Sequence, residues 1–258
     1  MPKLFPVDLH YHTIISGHAF NTLFETAKEA KKRGIKLLAI TEHGPAVGGA
    51  PHLNYFRVAY RVPQYINDVE ILMGVEANIL DTSGKIDIPE HLLRSQDIVL
   101  VGLHDKLRDE MRYEGKTRED HTNAFVNAIK NPHVNIVAHP AYAHFEIDVE
   151  KVVEAACKYN TLLELNTSYR RLGRDNKETL IRMIKLVKEK GFPIVVNSDA
   201  HIINELDNNY LTEKEMADLG LEKEDILNIS PARTKAFFKI KKRKIPCFKK
   251  PDAPKTCV

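Results

Sequence analysis

EAKKRGIKLLAITEHGP, residues 29–45, holds one complete structural unit and the beginning of a site. A helix candidate, Asn21–Arg33, runs into Gly34, where a left-handed C-terminal cap belongs. An aliphatic run follows at Lys36–Thr41, with the length and residue types of a strand. It ends in Thr-Glu-His, polar residues that a buried strand has no structural reason to carry. The same unit recurs. Strand candidates lie at Val7–His10, Glu70–Ala77, Asp97–Leu103, Asn135–Ala138, Thr161–Leu165 and Pro193–Asn197. Amphipathic helix candidates lie at Tyr55–Asn67, Arg118–Lys130, Asp148–Tyr159 and Asn176–Lys190, the last ending before Gly191. Seven βα-like units without a Pro- or Gly-rich linker predict one α/β domain, a closed or nearly closed parallel barrel of the TIM-like kind. A doubly wound open sheet is the alternative. No GxGxxG or Walker sequence is present, which argues against dinucleotide and P-loop sites.

The chain has 258 residues, of which 43% are hydrophobic, enough for a substantial core. No apolar stretch approaches the ~20 residues of a membrane span. The segment MPKLFPVDLH lacks the apolar region of a signal peptide. A cytoplasmic protein without membrane partners is therefore expected. Cys157, Cys247 and Cys257 show no CxxC spacing and suggest neither a disulfide framework nor a thiolate zinc site. The net charge of +3 conceals an asymmetry: residues 239–250, KIKKRKIPCFKK, hold seven Lys or Arg and no acid. The rest carries 31 basic against 35 acidic residues, a balance of −4. The expected division is a barrel over residues 1–238 and a basic tail over 239–258. Such a tail can touch nucleic acid, but terminal charge runs are more often simply solvated.

The strand ends repeat one chemistry. Strand one ends in His10 and His12, with His18 in the following loop. Strand two ends at His43, strand three carries Glu76, strand four ends at His104, strand five at His139, and the last strand at Asp199 and His201. In a parallel barrel these C-terminal ends meet at one rim, where active sites are assembled. Residues two apart on a strand share a face, so His10 and His12 can reach one ion. Imidazole and carboxylate suit zinc, manganese or iron. Seven histidines and two acids exceed the four ligands of a closed zinc site and would suit two or three ions with open positions. A single strand-end histidine is more often a hydrogen-bonding residue than a ligand; six successive strand ends of ligand type are harder to explain so. His52, His91, His121, His133 and His144 fall in loops or helices, and most of them should be exposed.

Taken together, HxH after strand one, AITEHGP, GVEANI, GLH, AHP and the final SDAH, with EIDV and ILNISP, resemble the PHP family, named for polymerase and histidinol phosphatase. The similarity is strongest to its YcdX-like phosphoesterases and runs from about Val7 to Pro231. It departs at Glu42, where many members have Asp, and at Asp105, where Glu is common; neither is a ligand position. The resemblance implies a distorted seven-stranded βα barrel with three divalent ions at its rim, most readily zinc, with manganese or iron as alternatives. It implies one ion on His10, His12, Glu76 and Asp199, a second on His18, His43 and His201, and a third on Glu76, His104 and His139. His10, His12, Glu76 and Asp199 would form the catalytic core.

Such a site implies a metal-dependent phosphoesterase that hydrolyses a small phosphomonoester by attack of a metal-bridging hydroxide. Lys106, Arg108, Arg170 and Arg171 follow rim strands and are candidates to clamp phosphate, or simply solvated. One alternative is a 3′-5′ exonuclease or nucleotide phosphodiesterase, mildly favoured by the basic tail. It is disfavoured by the lack of a basic-aromatic stretch that would track a strand. A non-catalytic metal-binding module is a third reading, which the intact ligand set argues against.

Overall fold

The computed structural model describes residues 5–206 and 211–240. Its strands are β1 (Val7–Asp8), β2 (Leu37–His43), β3 (Tyr65–Ile66), β4 (Val69–Asn78), β5 (Ile98–Gly102), β6 (Ile136–Val137), β7 (Leu162–Asn166) and β8 (Val195–Asn197). Seven of them pair in parallel, in the order β1-β2-β4-β5-β6-β7-β8. The ring is nearly closed between the first and last. Past the end of each strand, Tyr11 bridges Ala200, the His12 amide donates to the Ala200 carbonyl at 3.0 Å, and the Asp199 amide donates to the His10 carbonyl at 2.9 Å. The pairing is uneven. Residues Leu37–His43 of β2 pair throughout with β4, whereas β6 holds each neighbour through only Ile136 and Val137 or their near partners. The result is a nearly closed barrel, as the βα alternation predicts, with the distortion that the resemblance implies, and not an open sheet.

Alternation along the strands builds two apolar layers. Leu37 and Ala39 of β2, Leu72 of β4, Ile98 and Leu100 of β5, Leu162 of β7 and Val195 of β8 form a cluster inside the ring. Their sequence neighbours Leu38, Ile40, Ile71, Val99, Leu163 and Val196 pack outward beneath the helices. This two-sided burial is why the parallel strands read as near-continuous aliphatic runs. Continued toward the C-terminal ends, the inward positions become His43, Glu76, Glu164, Asn166, Asn197 and Asp199. The same face that fills the barrel with hydrocarbon at one end lines its other end with polar groups. Phe192, Phe237, Phe238 and Ile240 pack against the inner cluster.

Four surrounding helices fall where the sequence predicts them, at Leu23–Lys32, Arg118–Ile129, Val149–Tyr159 and Lys177–Glu189. Thr22 with Glu25 and Thr117 with Asp120 form capping boxes at the first two, and Gly34 and Gly191 take φ of 79° and 62°. The expected helix over 55–67 is instead a short helix at Leu53–Arg57, a 3₁₀ turn at Ala59–Arg61, and β3, antiparallel to β4. Pro63 cannot donate and drives Val62 to extended backbone. Asn67 and Asp68, with φ of 50° and 63°, then form a tight hairpin turn of the kind in which both central residues are left-handed. Beyond Ile240 the basic tail lies outside the described residues.

Gly74 sits at an inward position of β4, between Thr41 of β2 and Ile98 of β5. A Cβ there would overlap the Ile98 carbonyl oxygen and crowd its Cγ2 at 2.7 Å. Backbone cannot yield as a flexible side chain can. Gly74→Ala should therefore destabilise the barrel by about 1–3 kcal/mol, read as a lower urea midpoint at unchanged slope. An unchanged midpoint would mean that the β4–β5 spacing is not rigid.

Candidate metal centre

The eight strand-end residues and His18 from its loop form one cluster around Glu76, which is fully buried. Glu76 Oε1 lies 2.9 Å from His139 Nε2, 3.2 Å from His104 Nε2 and 3.4 Å from His10 Nε2. Glu76 Oε2 lies 2.7 Å from His43 Nδ1 and 3.4 Å from His12 Nε2. Each oxygen thus faces its own set of imidazoles. Asp199 Oδ1 lies 3.2 Å from His12 Nε2 and 3.4 Å from His10 Nε2. His18 reaches back from its loop, its Nε2 3.0 Å from that of His201.

Two features of this geometry fit divalent cations. Glu76 Oε2, Asp199 Oδ1 and His43 Nδ1 are buried without a hydrogen-bond partner, although charged or basic groups crowd them. Buried polar atoms are normally paired. The His10 and His12 Nε2 atoms, moreover, face each other at 3.1 Å. Two ring nitrogens at that distance are spaced as ligands of one ion are. Within the cluster three groups could each hold an ion: His10, His12 and Glu76; His12, His43 and His201; and His43, Glu76 and His104. These overlap the ligand sets implied by the resemblance but group His12 and His43 differently.

Electrostatics agree with the donor set. Burial pushes the Glu76 and Asp199 carboxyls upward, but His10 and its neighbours outweigh it, so both are held well below the usual range and stay ionised. Burial likewise disfavours the His12 cation, yet Asp199 and Glu76 lift its pKa to about 9. Burial and the charge on His12 lower His201 to about 4 and His43 well below its ordinary value. The carboxylates demand positive charge beside them, and the lowered pKa values of His43 and His201 favour their neutral, ligating form.

A second ring of residues holds the first in place, and most of it was not read from the sequence. Buried Glu164 accepts from His10 Nδ1 at 2.8 Å, which leaves Nε2 to face the cluster. It also accepts from the His139 amide, Asn166 Nδ2 and Asn197 Nδ2. Asn166 Nδ2 further donates to Asp199 Oδ2 at 3.0 Å, directing Oδ1 inward. Ser16 Oγ lies 2.9 Å from His12 Nδ1 and donates to Glu42, whose other donors are the Thr13 amide and hydroxyl. The Tyr169 ring stacks on His139 at 4.5 Å. The available signal was parity: Glu164 and Asn166 follow Leu162 at steps of two on an inward face.

His139 and Asp199 have φ of 34° and 49°. Left-handed backbone just beyond two strand ends turns these side chains off the ladder and into the cluster. Strained positions of this kind gather at functional sites. Of the five remaining histidines, His52, His91 and His144 are exposed as expected and His133 is half-buried. His121 is buried, its Nδ1 3.0 Å from the Glu146 carbonyl, because its helix turns that face toward Phe145 and Tyr113. Of the candidate phosphate clamps, Lys106, Arg108 and Arg171 are exposed, and Arg170 lies 4.0 Å from Asp175. No described helix is long and apolar enough to cross a membrane.

Comparison with known proteins gives a consistent assignment. The model of the PHP domain matches residues 8–169, more than half of the chain. A probable phosphatase of Caldanaerobacter subterraneus subsp. tengcongensis is 40% identical over 240 residues, 93% of each chain. A probable phosphatase of Acetivibrio thermocellus is 41% identical over 241 residues, 93% of this chain and 98% of its own. Among solved structures, the histidinol phosphate phosphatase of Lactococcus lactis, crystallised with zinc, L-histidinol and phosphate, superposes with a TM-score of 0.53. The match covers 84% of this chain and 94% of that one at 15% identity, and supports the fold alone.

Proposed function

The chain belongs to the PHP domain family, and from that premise we propose that it is a metal-dependent phosphatase acting on a small phosphomonoester. The observation that carries this reading is Glu76, a fully buried carboxylate whose two oxygens lie within 3.4 Å of the ring nitrogens of five histidines. Three divalent ions, zinc by the donor set, would be held by His10, His12, Glu76 and Asp199; by His18, His43 and His201; and by Glu76, His104 and His139. When bound, they supply an activated water and neutralise charge that builds on the phosphoryl oxygens. The relatives named probable phosphatases, similar over nearly their full length, support the same reaction class.

The chain's own groups orient and exclude. Glu164 fixes the His10 tautomer, Ser16 and Glu42 steady His12, and Asn166 pins one Asp199 oxygen. The apolar floor beneath Glu76 keeps water from entering from below.

The test is reconstitution of the purified protein with zinc or manganese, followed by elemental analysis and assay on phosphomonoesters. Between two and three ions per chain and hydrolysis abolished by chelation are expected. Less than one ion per chain would overturn the reading, as would nucleotide release from oligonucleotides with no phosphomonoesterase activity.

Glu164→Gln tests the supporting ring. It keeps the size but makes the partner of His10 Nδ1 ambiguous between donor and acceptor. Metal affinity should fall by about 10–100-fold, measured by competition with a chromogenic chelator, with the fold intact by circular dichroism. Unchanged affinity would exclude Glu164 from that role.

A further inference from the structure

Beside His104 the rim opens into a cavity of about 520 Å³, lined by Asp105, Arg112, Tyr113, Lys116, His144 and Phe145 among others. His104 is shared with the cluster, its Nε2 3.2 Å from Glu76, so the cavity begins where a bound phosphoryl group would end. Its volume far exceeds that of one phosphate and leaves room for the alcohol portion of an ester.

The walls carry unused recognition groups. Arg112 and Lys116 are exposed and make no ion pair among the described residues. Tyr113 is only 7% exposed, yet its hydroxyl is buried without a partner. A lone buried hydroxyl is costly unless something occupies it. Burial pushes that phenol upward, so it remains a neutral donor. The absence of a side chain at Gly115 is what allows the hydroxyl its place, since a Cβ there would overlap the Tyr113 oxygen. Phe145 meets the Tyr113 ring edge-on at 6.0 Å and backs the wall. Asp105, which accepts from the Tyr142 hydroxyl at 3.2 Å, and Glu114 also line the cavity. Their charge would repel a diffuse polyanion, so any anion must sit locally, against the two cations and the phenol.

We propose that this cavity is the leaving-group site, and that Arg112, Lys116 and Tyr113 there hold a second anionic group of the substrate. The chain would thus prefer phosphomonoesters that bear a further phosphate or carboxylate. The inference rests on the phosphatase reading. Two cations can pair with the oxygens of either group while the Tyr113 hydroxyl donates to one of them, satisfying the orphan.

The metal-loaded protein should be assayed on fructose 1,6-bisphosphate and 6-phosphogluconate, with glucose 6-phosphate as the ester lacking a second anion. The expected result is a kcat/KM at least about tenfold higher for one or both of the first pair, with the preferred member distinguishing phosphate from carboxylate. Arg112→Met and Lys116→Met should each bring that ratio toward one, and Tyr113→Phe should reduce it severalfold. Hydrolysis without preference, or a preference that all three variants retain, would overturn the leaving-group assignment and leave the phosphatase reading standing. Hydrolysis of none of the esters would overturn both.

Discussion

Glu76→Gln should empty two of the three proposed metal positions and slow phosphomonoester hydrolysis on the order of a thousandfold or more. The substitution preserves volume inside a fully buried site but removes the charge and replaces one oxygen with a donor nitrogen. Oε1 serves His10, His104 and His139, and Oε2 serves His12 and His43, so either amide orientation turns an N–H toward imidazoles that need an acceptor or an ion. His139 reaches only Oε1 and stands at the edge of the cluster. His139→Ala should therefore empty mainly the third position. Anomalous diffraction on both variants separates these outcomes. Full occupancy everywhere in Glu76→Gln would end the shared-carboxylate account.

Asp199→Asn should also abolish hydrolysis, by a different route. Asn tolerates the left-handed backbone at this position better than Ala does, so the variant tests charge without adding strain. With the carboxylate gone, the His10 and His12 Nε2 atoms keep Glu76 but lose Asp199, and Asn166 loses a charged acceptor. A loss of turnover of about a thousandfold is expected, with the unfolding transition shifted by no more than a few degrees, because the barrel is held by aliphatic layers and not by the cluster. Near-normal turnover in a fully loaded variant would remove Asp199 from the site.

The barrel was legible because its causes are local. Aliphatic runs of strand length, amphipathic helices and glycine caps at Gly34 and Gly191 lie within short windows of sequence, and their alternation admits few packings. The misread segment, 55–67, shows the limit: its apolar spacing suits a helix, but Pro63 and the Asn67–Asp68 turn prevail. Both signals were present in the sequence, and backbone restriction there outweighs periodicity.

The histidines and acids at the strand ends were legible for the same reason, since they follow aliphatic runs in the sequence and a parallel barrel gathers such ends at one rim. What the sequence by itself determined is therefore the fold and which nine candidate ligands converge at its rim. Their grouping around the two oxygens of Glu76 depends on strand stagger and on the left-handed turns at His139 and Asp199. No local window encodes these, because they arise where the ring closes. Glu164, Ser16 and Asn166 acquire their roles only through partners up to 154 residues away. The orphaned Tyr113 hydroxyl, too, exists only once Gly115 and Phe145 are packed around it. Hydrogen bonds and desolvation act over a few ångströms of space whatever the separation along the chain. Only tertiary structure could decide which of many polar residues stand close enough to set one another's proton, charge and direction.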